Sequence, residues 1–351
     1  MPARLPLSTL AALALGPAAT LGHAQGVPPA PPPDWGHDFV TIGAPGNRDV
    51  TPAEAPDWDF DRFGAFGGVD YEFRITRTEV TNTQYLEFLN AYTKLPGRTP
   101  GDNPAGRGIF LEGFDPQGAP ILRIRPGAEH APADPSFGYA ARYVNWLHND
   151  KGSRVEDFET GVYDISTFRM DPVTGKYTDQ LERSPGSRYF IPSFDEWTKA
   201  AHYDPNKNGD GEEGYWYHPG GSDELLVSGR PGDPGAQTGA GEDPDPFPHY
   251  FPIGSFPQTD GPWGLLDTSG GASEWTETVI FPDSIGRERL VRASSTSDSR
   301  FYEFEDPIDY ARLARIRSHG FRVGSIIPTP GTASITLLAI GMSIGSRRRL
   351  S

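Results

Sequence analysis

The residues best suited to bind an ion are the oxygen-bearing side chains of the segment 204–213. Its positions 1, 3, 5, 7 and 9 are Asp204, Asn206, Asn208, Asp210 and Glu212. Alternate oxygens of this kind converge on calcium in EF-hand loops, and Gly209 at position 6 permits the sharp turn that such loops need. Position 12, where an EF-hand has a bidentate glutamate, is Tyr215, and Glu213 is the nearest substitute. The pattern predicts a Ca²⁺ site, with a solvated acidic turn as the alternative.

Thiolate chemistry is excluded, because the 351-residue chain contains no cysteine. Disulfides, cysteine nucleophiles, Cys-ligated zinc, iron–sulfur clusters and thiolate copper sites all require that residue. The eight histidines are scattered, without a pair spaced four residues apart. We therefore interpret each histidine as a surface residue or a hydrogen-bonded structural residue rather than as a metal ligand.

The charge of the chain argues against nucleic acid as a partner. Lysine and arginine number 31 against 47 aspartates and glutamates, which gives a formal net charge of −16. Such a surface repels phosphate backbones, and no basic, aromatic-rich stripe offsets it. The 42 glycines and 36 prolines predict a loop-rich fold, while 7 Trp, 14 Tyr and 20 Phe suffice to fill a core.

The N-terminus has the pattern of a secretory signal peptide. Arg4 precedes the apolar run 10–15, and small residues stand one and three positions before a cut after Ala24. The signal peptide is therefore predicted at 1–24, and a buried first helix is the weaker alternative. Residues 25–37 follow as a proline-rich spacer.

The C-terminus, 326–351, combines a Pro-Thr-Pro-Gly motif, a short apolar stretch and the arginine cluster 347–349. Only 16 residues separate Pro330 from Arg347, fewer than the ~20 that a membrane-spanning helix needs. The arrangement resembles the PEP-CTERM sorting signal of bacterial exported proteins; a plain hydrophobic tail is the alternative. The resemblance implies export and sorting machinery as partners, transient membrane contact through the tail, and a periplasmic, outer-surface or extracellular-matrix location.

Hydrophobic periodicity predicts short elements between these ends. Alternation predicts strands at 38–42 and 71–75. Three residues are predicted to cap helices, because aromatic and aliphatic residues recur at helical spacing behind each of them: Thr81, Ser136 and Ser193.

The segment 230–248, rich in glycine, proline and aspartate, is predicted to be a solvent-exposed loop. Three short helices among brief strands and turns indicate an α+β fold. We assign it to one domain, 38–325.

Five ordered sequence blocks of this domain resemble the formylglycine-generating enzyme, or sulfatase-modifying factor, family. The blocks run from a Glu-Val-Thr-Asn segment to a Gly-Phe-Arg-Val segment: 78–90, 140–147, 189–201, 264–275, and 290–292 with 320–323. The resemblance implies an irregular C-type-lectin-like α+β domain with few regular elements.

The resemblance also implies a lost activity. Formylglycine-generating enzymes hold Cu(I) with two cysteine thiolates, and counting from Arg292 places those cysteines near Asp298 and Glu303. Carboxylates are hard ligands that do not suit Cu(I), so no copper is expected.

The segment that corresponds to the family's copper site contains four candidate ligand-binding residues: Asp298, Arg300, Tyr302 and Glu303. Arginine suits carboxylates and tyrosine suits stacking on a saccharide or peptide. An exposed loop of mixed charge is the alternative interpretation of this segment.

The turn 267–275 is a second candidate metal site by resemblance, because relatives take calcium ligands from it. Glu274 is kept here, while the family's asparagine is replaced by Gly271. A buried glutamate that accepts hydrogen bonds from turn amides is the alternative role of Glu274.

Our sequence-based hypothesis is an exported bacterial protein that acts as a ligand-binding or structural module, with an extracellular saccharide or protein as ligand. Two enzymatic alternatives stay open. One is a formylglycine-type modifier with non-cysteine chemistry, and the other is a hydrolase that uses carboxylates such as Asp298 and Glu303.

Overall fold

A computed structural model describes residues 30–96, 106–242, 250–279, 289–294, 312–314 and 319–328. Contacts divide the chain into two units, and every element below belongs to the unit Pro31–Ile327; the other combines Met1–Ala30 with Pro328–Ser351. The predicted signal peptide and most of the predicted sorting tail lie outside the described residues. No helix among the described residues is both long enough and apolar enough to span a bilayer.

The regular elements of the described chain are short, as the glycine and proline content predicts. The α-helices are α1 Phe60–Phe63, α2 Asn82–Tyr92, α3 Phe137–His148, α4 Glu156–Glu159 and α5 Phe194–His202, and a 3₁₀ helix spans Ile165–Thr167. The strands are β1 Phe39–Ile42, β2 Phe73–Thr76, β3 Ile109–Phe114, β4 Pro120–Ile124, β5 Arg169–Met170, β6 Tyr177–Thr178, β7 Tyr189–Phe190, β8 Tyr203–Asp204, β9 Gly214–Tyr215, β10 Glu274–Val279, β11 Arg289–Arg292, β12 Arg312–Ala314 and β13 Gly324–Ile326.

The larger sheet brings together the two ends of the described domain. Its strand order is β1-β2-β13-β7, and all neighbours are antiparallel. A second sheet has the order β10-β11-β12, and three hairpins pair β3 with β4, β5 with β6, and β8 with β9. Because β13 lies between β2 and β7, the last described strand must be in place before this sheet is complete.

The three predicted helix starts are confirmed at Thr81, Ser136 and Ser193. Thr81 and Ser193 each form a full capping box with the residue three positions on, Gln84 and Glu196 respectively. Ser136 is the N-cap of α3, but its side chain makes no capping hydrogen bond. Local hydrogen bonds thus determine where α2 and α5 begin, and the positions of the buried side chains follow from those starts.

Aromatic side chains from α2, α3 and α4 form the centre of the main core, which also includes aliphatic side chains of the strands. The ring of Phe88 lies within 6 Å of five other rings, those of Tyr85, Tyr92, Tyr143, Trp146 and Phe158. The contacts with Tyr143 and Trp146 are edge-to-face, the arrangement that the ring quadrupole favours. These packed rings hold α2 against α3, and α3 in turn packs on β7 of the larger sheet.

The prediction that 230–248 is exposed is wrong for part of that segment. Residues 230–235 are exposed, but Ala236 and Thr238 to Ala240 are buried. They pack against the turn at Gly270, where a Cβ would lie 2.4 Å from the amide nitrogen of Ala240. Small residues in this segment permit close packing of two backbones. A solvated loop has the same composition, so composition alone does not distinguish a packed segment from an exposed one. Residues 243–249 lie outside the described part of the chain.

Asn145 of α3 holds the loop after α4 in place. Its Nδ2 donates to the carbonyl oxygens of Phe158 at 3.0 Å and Tyr163 at 2.8 Å. Its Oδ1 accepts from the backbone nitrogens of Val162 at 2.9 Å and Tyr163 at 2.8 Å. The side chain is fully buried, so the four backbone groups depend on it for hydrogen bonds.

Replacement of Asn145 by alanine is expected to lower the free energy of unfolding by about 3 kcal/mol or more, because several buried polar groups would lose their partner. Urea denaturation followed by tryptophan fluorescence measures the change. The matched control is Asn90→Ala, at an exposed position of α2, with an expected change within about 0.5 kcal/mol. Equal effects of the two substitutions would contradict the role assigned to Asn145.

Candidate functional site

The predicted ligand-binding residues Asp298, Arg300, Tyr302 and Glu303 lie outside the described residues. The described chain reaches Ser294, whose Oγ accepts a hydrogen bond from the backbone nitrogen of Gly270 at 3.1 Å. The assignment of a ligand to 298–303 therefore stays a prediction, and the site is built below from the residues that the structure describes.

The predicted calcium loop forms a tight turn between β8 and β9. Oδ1 of Asp204 accepts from the backbone nitrogen of Asn206 at 2.8 Å, and its Oδ2 accepts from Trp216 Nε1 at 3.1 Å. Oδ1 of Asn206 accepts from the backbone nitrogen of Gly211 at 2.8 Å. Asn208 uses its amide nitrogen to donate to the carbonyl oxygen of Glu213 at 3.1 Å. Several of the predicted ligand oxygens thus stabilise the turn itself.

The acidic side chains of that loop do not converge. Across the described residues, no group of three or more histidine, aspartate or glutamate side chains is arranged to hold a metal ion. Asp210 and Glu212 are exposed. Calcium at this loop stays a prediction from the sequence pattern.

Glu274, the second predicted calcium ligand, lies at the start of β10 in the protein interior. Its side chain is fully buried and pairs with Arg322, whose Nε lies 2.9 Å from Oε1 and 3.0 Å from Oε2. Its Oε2 also accepts from Trp197 Nε1 at 2.8 Å. The partners of Glu274 are therefore a guanidinium and an indole, and not the turn amides suggested by the sequence.

Two more carboxyl groups, those of Glu79 and Asp267, interact electrostatically with the same guanidinium. Oε2 of Glu79 lies 3.8 Å from Arg322 Nη2 and has no hydrogen-bond partner among the described residues, while its Oε1 accepts from the backbone nitrogen of Ala272 at 3.0 Å. Asp267 Oδ2 accepts from the backbone nitrogen of Gly254 at 2.6 Å. Burial, together with the negative charge of Asp267, raises the pKa of Glu79 well above its usual range. One guanidinium cannot balance three buried negative charges, so protonation of Glu79 relieves the excess.

Replacement of Glu79 by glutamine is expected to flatten the dependence of stability on pH. A carboxyl group with a higher pKa in the folded protein contributes stability below its unfolded pKa of about 4.3, and that contribution is lost as the pH rises toward the folded pKa. The free energy of unfolding of the wild type should therefore fall more between pH 5 and pH 8 than that of Glu79→Gln.

Urea denaturation at a series of pH values measures this difference. Glu112→Gln, at a half-exposed residue of the β3–β4 hairpin, is the matched control and should follow the wild-type profile. A wild-type profile for Glu79→Gln would show that this carboxyl group does not titrate between pH 5 and pH 8.

A cavity of about 640 Å³ opens beside the N-terminus of α5. Its described walls come from the loop 181–187, the start of α5, the end of β10 and two isolated side chains: Tyr71, residues 181–187, Ser193, Asp195, Glu277 to Val279, and Ile326. The volume falls within the range of small-molecule sites, and the walls combine apolar side chains with carboxylates and hydroxyls.

Arg183 organises one wall of this cavity. Its guanidinium donates to both carboxylate oxygens of Glu196, at 2.9 Å from Nη1 and 2.8 Å from Nη2, and Nη2 also donates to the hydroxyl of Tyr71 at 2.9 Å. It stacks on the ring of Phe190, 3.7 Å from the centroid. Burial alone would raise the pKa of Glu196, but Arg183 holds that pKa below its usual value. The pair is therefore ionised and internally neutral.

The other two carboxyl groups close to this wall are Glu277 and Asp195. Glu277 Oε1 accepts from the backbone nitrogen of Arg183, and its Oε2 accepts from the hydroxyl of Tyr163, both at 2.7 Å. Asp195 Oδ1 accepts from the backbone nitrogen of Gly67 at 2.9 Å. Burial raises the pKa of both groups. Glu277 also lies 3.6 Å from Nη1 of Arg183, which it shares with Glu196, so the carboxyl groups around this wall outnumber its one guanidinium.

Sequence reasoning did not find this cavity. The sequence places Glu196 three positions after the predicted cap Ser193, which suits a capping box. Its second role, as the partner of Arg183, depends on a contact between the loop 181–187 and α5. The one available signal was the pair of acidic residues, Asp195 and Glu196, in the first helical turn, which also suits the helix dipole.

The fold is an irregular α+β arrangement of short helices, short strands and long loops. Residues 66–324 match the family described as the sulfatase-modifying factor enzyme 1-like domain. The chain therefore belongs to this family, and its mixed, loop-rich architecture is consistent with the family's C-type-lectin-like fold. The family and the fold class predicted from the sequence are confirmed.

The solved structures that are similar to this chain include CarF and PvdO. CarF is 18% identical, with 84% of this chain and 99% of the CarF chain covered and a TM-score of 0.48. PvdO from Pseudomonas aeruginosa is 17% identical, with 82% of this chain and 91% of the PvdO chain covered and a TM-score of 0.35. No curated protein matches the sequence.

Proposed function

We propose that this protein is an exported sulfatase-modifying-factor-like domain that lacks the copper oxidase activity of formylglycine-generating enzymes and binds an extracellular saccharide or protein. One observation carries the proposal: the family match, 66–324, contains no cysteine. Cu(I) is held by soft ligands, and without thiolates the domain lacks the ligand pair that this chemistry requires.

The described cavity supports a binding role. It is concave, has apolar walls at Leu181, Val279 and Ile326, and presents polar groups of fixed orientation. Arg183 and Glu277 are held by several hydrogen bonds each, so little side-chain ordering would be needed when a ligand binds.

An oxidation assay tests the loss of the family's activity. The purified protein is incubated with Cu(I), oxygen and a peptide that carries a sulfatase-type cysteine motif, and the peptide mass is followed by mass spectrometry. We expect no conversion of cysteine to formylglycine above the enzyme-free rate, while an active formylglycine-generating enzyme in parallel converts the peptide. Copper-dependent turnover by this protein would overturn the proposal and favour the modifier with non-cysteine chemistry.

Export is proposed from the two terminal segments. Expression of the full chain in a Gram-negative host, followed by fractionation, should place it outside the cytoplasm. Intact-mass and N-terminal analysis should show a mature chain that begins at Gln25, because the cut is expected after Ala24. Substitution of Ala24 by a bulky residue such as phenylalanine should prevent this cut, whereas an uncleaved cytoplasmic wild type would contradict export.

A further inference from the structure

We propose that the cavity beside α5 binds an organic cation, an ammonium or guanidinium group such as that of a lysine or arginine side chain, with Asp195 as the anionic partner. The inference deepens the proposed binding function and depends on it. It specifies the charge of the ligand and the residue that recognises that charge.

The first argument is the charge of the walls. The described lining residues include three carboxyl groups, those of Glu182, Asp195 and Glu277, and one guanidinium, that of Arg183. That guanidinium is shared by two carboxylates, Glu196 at 2.8 Å and Glu277 at 3.6 Å. The described walls therefore leave an excess of negative charge, and a cavity with low-dielectric walls concentrates that field on its contents.

The second argument is that Arg183 is not available to an anionic ligand. Both of its Nη atoms donate to Glu196, and Nη2 also donates to Tyr71. Its flat face is covered by Phe190. An anion could bind this guanidinium only by displacing Glu196, which would leave a fully buried carboxylate without its partner.

The third argument is the state of Asp195. Its Oδ1 accepts from the backbone nitrogen of Gly67, and its Oδ2 has no hydrogen-bond partner among the described residues. Burial and the nearby carboxylates of Asp49 and Glu196 raise its pKa, although the Gly67 amide opposes the rise. A cationic ligand would supply the hydrogen bond and the charge that this carboxylate lacks.

The fourth argument is the position of the apolar groups. Tyr71, which is 45% exposed, lines the same cavity as Leu181 and Ile326. The methylene chain of a lysine or arginine side chain can pack on such groups while its charged end meets a carboxylate. The cavity therefore suits a long amphipathic cation better than a compact inorganic one.

The test is a binding titration of the full chain by NMR or isothermal calorimetry. The probes are N-acetyl-glycyl-lysyl-glycinamide, its arginine counterpart, and two neutral peptides in which lysine is replaced by norleucine or Nε-acetyllysine. We expect one or both cationic peptides to bind and the neutral peptides to bind at least tenfold more weakly, since a charge-assisted hydrogen bond is lost. The comparison of lysine with arginine identifies the preferred cation.

The key variant is Asp195→Asn, which keeps an oxygen for the Gly67 amide and is checked for folding by circular dichroism. It should weaken binding of the cationic peptide at least tenfold. The matched control, Asp61→Asn, removes the same charge from an exposed residue of α1 and should leave binding unchanged.

Three outcomes would overturn this inference. The first is the absence of binding of either cationic peptide to the wild type, and the second is an equal loss of affinity in Asp195→Asn and Asp61→Asn. A neutral saccharide or acidic peptide that binds in the cavity would also overturn the cation assignment while leaving the proposed binding function intact. Turnover in the oxidation assay would instead overturn the proposed function itself.

Discussion

The buried guanidinium of Arg322 is the interaction on which the arrangement of this domain depends. It pairs with Glu274 at 2.9 Å and also donates to the carbonyl oxygens of Thr76 and Leu266 at 3.2 and 2.6 Å. These groups belong to β2, the turn before β10, and β10 itself, which are far apart in sequence. Arg322 precedes β13, the strand that completes the larger sheet. One side chain thus links closure of that sheet to the position of the smaller sheet.

The buried charge of Arg322 fixes the positions of its partners, because a charged group in the interior needs its full set of hydrogen bonds. Removal of one partner from a buried pair costs several kcal/mol, since the remaining charge stays in the interior. The same guanidinium is shared with Glu79 and Asp267, so the cluster carries more carboxyl groups than positive charges. The close packing at Gly271, where a Cβ would lie 2.2 Å from Glu79 Oε1, places the turn directly over these carboxyl groups. A larger residue at 271 would require Glu79 to move.

What the sequence predicted correctly has local causes. Thr81 and Ser193 cap helices through residues three positions away, and the strands near 39–42 and 73–76 follow from alternation over a few residues. The features that sequence reasoning misses depend on distant partners. The resemblance to relatives predicts Glu274 as a calcium ligand, whereas its pairing with Arg322, 48 residues later, is visible only in the structure. The burial of 238–240 depends in the same way on the turn at Gly270.

The two glutamates of β10 have different roles in the domain. Glu274 makes all its contacts in the protein interior. Glu277, three residues on, lines the cavity and accepts hydrogen bonds from Arg183 and Tyr163. The register of β10 against β11 shifts between Trp275 and Val279, so the second carboxylate is not placed by a regular strand. The cavity wall is consequently anchored to the same strand as the Arg322 cluster. Glu277 of the cavity wall and Glu274 of the Arg322 cluster lie three residues apart on one strand, so a ligand in the cavity would contact the strand that the cluster holds in place.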